Sequence, residues 1–239
     1  MREITEREKA GYLLDRELAS IVNGIPESTL GLFCPALQGR GVTLIDRSAY
    51  ANNGAISGAT WKRLPSGLWV LNFNGTADKV TVTHAASIKP TAGLTVIAWF
   101  RTTDYTETQG IADVIDDTTG YCLILYGSAL LSTLRVTGCA GLTKAGSTAW
   151  NNVWKCAGMT FGAIGGHILY LNGANVASDS DSGSITQNTR NLTLGNRAFY
   201  SPTTAALRGD LALPVIVGRE YSATEMLRFF TRYRLLFGV

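Results

Sequence analysis

Three closely spaced aspartates are the residues of this 239-residue sequence that come nearest to an acid–base pair. Glycoside hydrolysis needs two carboxylates, which lie about 5–5.5 Å apart in retaining enzymes. Side chains alternate between the two faces of a strand, so Asp113 and Asp117 would not point the same way as Asp116. Glu107 is the one glutamate in the region predicted to be β-structure. The sequence therefore predicts no catalytic residues and a protein that is not an enzyme.

The sequence also lacks the residue patterns of metal-binding and nucleotide-binding sites. The sequence contains two histidines, too few for a histidine-rich metal site. It has no phosphate-binding loop, dinucleotide fingerprint or Gly-x-Ser-x-Gly nucleophile motif. Its four cysteines lack Cys-x-x-Cys spacing, and no apolar leader segment directs the chain to an oxidising compartment. We expect buried thiols at Cys34, Cys122, Cys139 and Cys156.

Aromatic residues near predicted loops and strand ends are better candidates for ligand binding. Exposed rings beside Asn, Thr and Asp can stack on sugars while the polar groups bind the hydroxyls. Ordinary loop packing uses the same residue types, and this alternative stays open for each residue. The candidate ligand-binding residues are Tyr105, Tyr121, Tyr126, Trp150 and Tyr200, with Trp61 and Phe199 as further members of the set.

The two ends of the chain are more highly charged than its middle. Residues 1–20 and 219–239 together hold 15 of the 39 charged residues. Apolar spacing predicts a helix over residues 3–22, and the apolar tail would be an exposed patch on a lone monomer. Either end could pack on the chain's own domain or against a partner. The predicted assembly-interface residues are Ile4, Leu14, Leu18, Phe229, Phe230, Tyr233, Leu236 and Phe237.

The region between the ends has an all-β pattern. Ten or so short runs rich in Val, Ile, Thr and aromatic residues are separated by Gly, Asn, Asp and Ser turns, which predicts a sandwich or barrel. Ser222 and Glu225 form a capping box for a short helix over residues 223–230. We divide the chain into a helical arm, residues 1–30, and a β domain, residues 31–239. The predicted core aromatics are Phe73, Trp99, Phe161 and Tyr170.

The order of several motifs resembles the concanavalin A-like, laminin G-type jelly-roll family over about residues 40–230. The motifs are Asp46-Arg47-Ser48 followed by Asn52-Asn53-Gly54, the hairpin Leu71–Val80, the strand Leu94–Phe100, the strand Trp154–Phe161 with the Tyr170–Gly173 turn, and Gly209-Asp210-Leu211 through Glu225. This resemblance implies an all-β fold of two antiparallel sheets, a jelly-roll sandwich, here with an N-terminal and a short C-terminal helix.

The resemblance also raises the question of calcium. Family members often bind calcium through the Asp of the first motif and an Asp in the closing strand, where this chain has Ala212. Calcium prefers six to eight oxygen ligands, several of them charged. The remaining candidate ligands are Asp46, Ser48 and Asn52, and the alternative is that Asp46 and Ser48 cap a turn. No other cofactor is expected. The family's enzymes carry Glu-x-Asp-x-x-Glu, which this chain lacks.

Two functions remain after these exclusions. A net charge of +3 and a charged fraction of 16% argue against nucleic-acid binding, and no apolar run approaches the roughly 20 residues of a membrane span. Laminin G-like chains with extra terminal arms and no signal peptide resemble phage virion surface or decoration proteins. We expect such a structural protein, made in the cytoplasm and contacting copies of itself and other virion proteins. The alternative is a lectin-like module that binds cell-surface glycans.

Overall fold

The computed structural model describes residues 27–35, 39–136, 141–163, 165–180, 182–197, 199–200 and 203–239. The predicted N-terminal helix, with Ile4, Leu14 and Leu18, lies outside these residues, as does Cys139. The strands are β1 (Leu30–Phe33), β2 (Thr43–Leu44), β3 (Gly54–Ser57), β4 (Thr60–Arg63), β5 (Trp69–Asn74), β6 (Lys79–Val82), β7 (Leu94–Thr102), β8 (Gln109–Asp113), β9 (Tyr121–Tyr126), β10 (Ala129–Leu134), β11 (Leu142–Ala145), β12 (Lys155–Gly162), β13 (Gly166–Leu171), β14 (Ala174–Asp179), β15 (Leu192–Leu194) and β16 (Arg208–Val217). One α-helix, α1 (Ala223–Tyr233), follows them.

The strands form two antiparallel sheets, as the family resemblance implies, and each sheet has eight strands. Sheet I has the order β14-β13-β12-β7-β16-β5-β4, and β1 also pairs with β16. Sheet II has the order β11-β10-β9-β8-β15-β6-β3-β2. The two sheets pack face to face as a jelly-roll sandwich. Short 3-10 helices at Glu27–Thr29, Ala86–Ile88, Thr148–Trp150 and Arg234–Phe237 complete the described elements.

Burial of β7 follows from its almost entirely apolar sequence. Val96, Ala98 and Phe100 face the core between the sheets, whereas Ile97 and Trp99 face the opposite side of sheet I. Both sides are buried because sheet I is covered on its outer face as well as its inner face. The predicted core aromatics are all buried and divide in the same way. Phe73 and Phe161 lie between the sheets, and Trp99 and Tyr170 lie on the outer side of sheet I.

A bulge divides β16 into two halves that pair with different strands along the same edge. Its first half pairs with β5 and its second half with β1, while β7 runs along the other side. Between them, Leu213 adopts a left-handed conformation with φ of 47°, and Pro214 has no N–H to leave unpaired. The Pro214 carbonyl accepts a hydrogen bond from the Cys34 N–H, so the bulge is tied to the end of β1.

Helix α1 and the residues after it cover the outer face of sheet I. The Ser222 hydroxyl accepts from the Glu225 N–H and the Glu225 carboxylate accepts from the Ser222 N–H, which is the predicted capping box. The ring of Phe237 stacks on Trp99 at a centroid distance of 4.2 Å and contacts Trp154 at 4.7 Å. Phe230 stacks on the same Trp99 at 5.6 Å.

This packing corrects the predicted assembly interface at the C-terminus. Phe229, Tyr233 and Phe237 are buried against the chain's own sheet, and Phe230 and Leu236 are half-buried beside them. Of the two alternatives that the sequence left open, the structure shows the tail folded back on the sandwich. The physical reason is that the tail's aromatic rings fill the apolar surface around Trp99, which would otherwise face water.

Candidate functional site

The outer face of sheet II, which α1 does not cover, carries a row of small side chains across five strands. The register places Thr81 of β6 opposite Thr193 of β15, and Thr193 opposite Asp113 of β8. Asp113 in turn lies opposite Cys122 of β9, which lies opposite Thr133 of β10. Because each residue lies beside its neighbour on the next strand, the five side chains form one continuous row perpendicular to the strands.

Five larger side chains form what we call the aromatic–arginine ladder beside this row. The Arg197 guanidinium lies 4.7 Å from the ring centroid of Tyr200 and 5.9 Å from that of Tyr126. Phe199 meets Tyr200 edge to face at 4.8 Å, and the Arg190 guanidinium lies 3.9 Å from the Phe199 ring. Cation–π contacts of this kind orient rings that are open to solvent.

The aromatic rings of the ladder are exposed. Tyr126 is 53% exposed, and Phe199 and Tyr200 are each 39% exposed. Among the described residues, one further aromatic side chain is exposed, that of Tyr50 in the loop after β2. Three of the four exposed aromatics therefore lie on one face of the sandwich, which is the arrangement expected of a binding surface.

Asp113 lies at the centre of this face and is almost fully buried. Its carboxylate accepts hydrogen bonds from the Ile115 N–H at 3.0 Å and from Arg197 Nε at 3.2 Å. Burial raises the pKa of Asp113, although Ile115 and Arg197 counteract this effect. The ion pair holds Arg197 near the rings of Tyr126 and Tyr200, so Asp113 positions the ladder.

Lys89 fixes the segment that presents Arg190. Its ammonium donates to the Asn188 carbonyl at 2.7 Å, to Asn188 Oδ1 at 2.8 Å and to the Arg190 carbonyl. Burial, with a smaller contribution from Arg190, lowers the pKa of Lys89 to about 8, so the group is largely charged at neutral pH. The loop before β15 is thereby tied to the 3-10 helix at Ala86–Ile88, and Arg190 is held against Phe199.

Two adjoining grooves open on this face and share Ile115. The acid-side groove, of about 640 Å³, is lined by Glu107, Arg135, Arg197, Tyr126 and Tyr200, over an apolar floor that includes Ile124. The cation-side groove, of about 430 Å³, is lined by Lys79, Thr81, Asp113, Thr193, Arg190 and Phe199. Phe199 and Tyr200 stand between the two grooves. Together the grooves offer apolar floor, ring faces and hydrogen-bonding groups, which are the components of a small-molecule site.

The structure brings together two of the five predicted ligand-binding residues. Tyr126 and Tyr200 both line the acid-side groove. Tyr121 needs correction: it is fully buried in the core and its hydroxyl donates to the Ile88 carbonyl at 2.7 Å. Trp150 needs the same correction, because it is 7% exposed and packs in the core. Tyr105 is half-buried against that core and lines neither groove.

The three candidate calcium ligands do come together, as a hydrogen-bonded loop. Asp46 Oδ1 accepts from the N–H groups of Phe33 and Ser48, at 2.8 and 2.9 Å. Asp46 Oδ2 accepts from the Ser48 hydroxyl at 2.6 Å and from the Asn52 N–H at 2.7 Å. Four donors therefore surround this buried carboxylate, and they tie the loop after β2 to β1. Calcium at this position stays a prediction.

Other chemistry-bearing groups are apart or buried. Of the acidic cluster, Asp116 accepts from Thr118 and Thr119, and Asp117 accepts from the Tyr200 hydroxyl. Cys34, Cys122 and Cys156 are buried free thiols, as predicted. Within the described ranges, no group of three His, Cys, Asp or Glu residues could hold a metal ion. No helix in this part of the chain is long and apolar enough to cross a membrane.

The comparisons with known proteins agree with the fold. The family model described as the concanavalin A-like lectin/glucanases superfamily, Laminin_G_3, matches residues 74–226. No curated protein matches the sequence.

Three solved structures show how widely the same architecture is used. The binding domain of Paraclostridial Mosquitocidal Protein 1 superposes with a TM-score of 0.70 at 14% identity, covering 87% of this chain and 53% of that one. Botulinum neurotoxin type C, which needs two ganglioside molecules to enter cells, gives 0.64 at 16% identity over 90% and 52%. Trypanosoma rangeli sialidase gives 0.67 at 14% identity over 97% and 39%. This chain thus spans about half the length of the two toxin chains and 39% of the sialidase chain. At these sequence identities the likeness shows the fold alone.

Proposed function

The chain belongs to the concanavalin A-like lectin/glucanase superfamily, and we propose that it is a non-catalytic module that binds glycans on the outer face of sheet II. The observation that carries the proposal is the aromatic–arginine ladder. Three exposed rings lie beside a polar cross-strand row, with two grooves between them. Sugars present both apolar C–H faces and hydroxyls, so a surface that combines aromatic rings with Thr and Arg groups matches them.

The surroundings of the acids favour binding over hydrolysis. A hydrolase needs one carboxylate that can give up a proton and a second that stays ionised nearby. Here the Asp113 carboxylate accepts a hydrogen bond from Arg197, and the Asp117 carboxylate accepts one from the Tyr200 hydroxyl. These carboxylates hold the ladder in place, which is a positioning role. The sialidase and the ganglioside-dependent toxin among the structural neighbours are consistent with glycan recognition.

Substitution of Tyr126 tests the proposal. We expect Tyr126→Ala to weaken the binding of the tightest saccharide on a glycan array by about tenfold, which corresponds to about 1.4 kcal/mol. Its stability should change by less than about 0.5 kcal/mol, because the side chain is half exposed. Tyr50→Ala is the matched control, since Tyr50 is 47% exposed outside the two grooves. A wild-type protein that binds no saccharide would contradict the proposal, and so would an equal loss of affinity in the two variants.

The phage virion role remains a second proposal with a narrower basis. This role requires that the ends of the chain contact neighbouring proteins. The C-terminal rings pack within the chain instead. What supports it now is the apolar spacing of Ile4, Leu14 and Leu18 in the sequence. Removal of residues 1–26 would abolish a higher-order assembly if this role is correct. Light scattering that gives the same mass with and without those residues would contradict it.

A further inference from the structure

We infer that the glycan carries an anionic group, a carboxylate or a sulfate, and that Lys79 and Arg190 bind this group in the cation-side groove. The inference rests on the proposed glycan-binding function and names its ligand class. It starts from the ion pairs at the two grooves. Arg197 of the acid-side groove is paired with an aspartate, whereas neither Lys79 nor Arg190 makes an ion pair within the described part of the chain.

The cations of the acid-side groove are engaged by the protein. Arg197 is paired with Asp113 at 3.2 Å, and Arg135 Nε donates to the Asp116 carbonyl at 3.2 Å. Glu107 adds a negative charge to the same groove. This groove is therefore electrostatically balanced and suits an uncharged part of a ligand.

The cation-side groove has an excess of positive charge. Within the described part of the chain, neither the Lys79 ammonium nor the Arg190 guanidinium has an acidic partner within hydrogen-bond distance. Asp113 is the one acid in the lining of this groove, and its charge is matched by Arg197. Arg190 acts on Asp113 and Asp116 only at longer range, since no ion pair joins them. Two cations thus face the same groove without an ion pair to an acid, which favours an anionic group there.

The hydrogen-bonding groups around these cations fit an oxyanion on a sugar. Thr81 and Thr193 lie opposite each other on neighbouring strands of the groove floor, and Thr189 and Asn191 complete its wall. Arg190 is held in place by its contact with Phe199 and by the Lys89 hydrogen bond to its carbonyl. A planar guanidinium that is fixed in this way can donate two parallel hydrogen bonds to a carboxylate or sulfate.

A glycan array tests this inference when it carries sialylated, glucuronylated and sulfated oligosaccharides, each beside its uncharged core. We expect at least one acidic member to bind about tenfold or more tightly than its core, and we expect this preference to shrink as salt is raised. The sialylated and glucuronylated arms report a carboxylate, and the sulfated arm reports a sulfate.

Two double variants then locate the anionic group. Lys79→Ala/Arg190→Ala should abolish the preference for the acidic member, so that its affinity equals the affinity of the same variant for the core. Lys144→Ala/Arg40→Ala removes the same charge from exposed positions outside the grooves and should have no such effect. The single variant Lys79→Ala, which disturbs no ring contact, should give part of the loss.

The outcomes separate this inference from the proposed function. Equal binding of acidic members and their cores would overturn the anionic-group inference and leave glycan binding intact. An acidic preference that survives Lys79→Ala/Arg190→Ala would also overturn it, because the group would bind elsewhere. Absence of binding to every saccharide would overturn the proposed function, and the inference would fall with it.

Discussion

The outer faces of the two sheets use aromatic residues in opposite ways. On sheet I, Phe237 of the C-terminal segment stacks on Trp99 and contacts Trp154 at a tilt, and each of the three rings is at most 7% exposed. On sheet II, Tyr126 and Tyr200 both contact Arg197 and stay open to solvent. The C-terminal segment covers the first face, whereas the residues that the structure describes leave the second face open. The first set of rings therefore stabilises the fold, and the second set is available to a ligand.

The largest effect is expected at the covered face. Phe237→Ala removes a ring that fills the space between Trp99 and Trp154, and truncation of a buried aromatic costs about 3–5 kcal/mol. Urea unfolding followed by tryptophan fluorescence measures this loss. Leu235→Ala, two residues earlier at a position that is 77% exposed, should cost less than about 0.5 kcal/mol. Equal losses in the two variants would show that the C-terminal segment does not seal this face.

A smaller effect is expected at the start of the covering helix. Ser222→Ala removes the hydrogen-bonded cap of α1 and should cost about 1 kcal/mol. Burial opposes ionisation of Glu225, but hydrogen bonds from Arg219 and Ser222 outweigh it and hold its pKa below the ordinary 4.5. The contribution of Glu225 to stability is therefore fully present above its unfolded pKa and is lost as the pH falls through the folded pKa.

The variant should consequently differ less from wild type at low pH. Parallel urea titrations at about pH 6 and about pH 3 measure the difference. A cost of Ser222→Ala that is unchanged between these two conditions would contradict the assigned role of Glu225 in the cap.

Much of the fold follows from local sequence patterns. Alternation and turn residues predict β5 and β9 with the bounds that the structure shows, and the capping box predicts where α1 begins. The apolar run of β7 predicts its burial on both faces. Local patterns do not predict β1 through β4 or β11, because short strands with exposed or glycine-containing sequences owe their pairing to neighbours that are distant in sequence.

The residues of the candidate binding site are harder to predict from the sequence than the strands are. Tyr121 and Tyr126 lie five residues apart in β9, and this odd separation puts them on opposite faces, a signal that could have excluded Tyr121. Arg190 and Arg197 carry no recognisable motif, and their role appears only when the loops on either side of β15 meet β8 and β9. Burial of the C-terminal rings likewise depends on a tertiary surface that no local pattern predicts.

The most direct test of the account is to locate the bound glycan by NMR. The saccharide with the strongest array signal is titrated into ¹⁵N-labelled protein, and backbone amide shifts are followed. We predict the largest changes at Asp113, Tyr126 and Thr193 on the outer face of sheet II, with Met226 and Tyr233 of α1 unaffected. Changes centred on α1, or on the Asp46 loop, would contradict the claim that the uncovered face of sheet II is the binding surface.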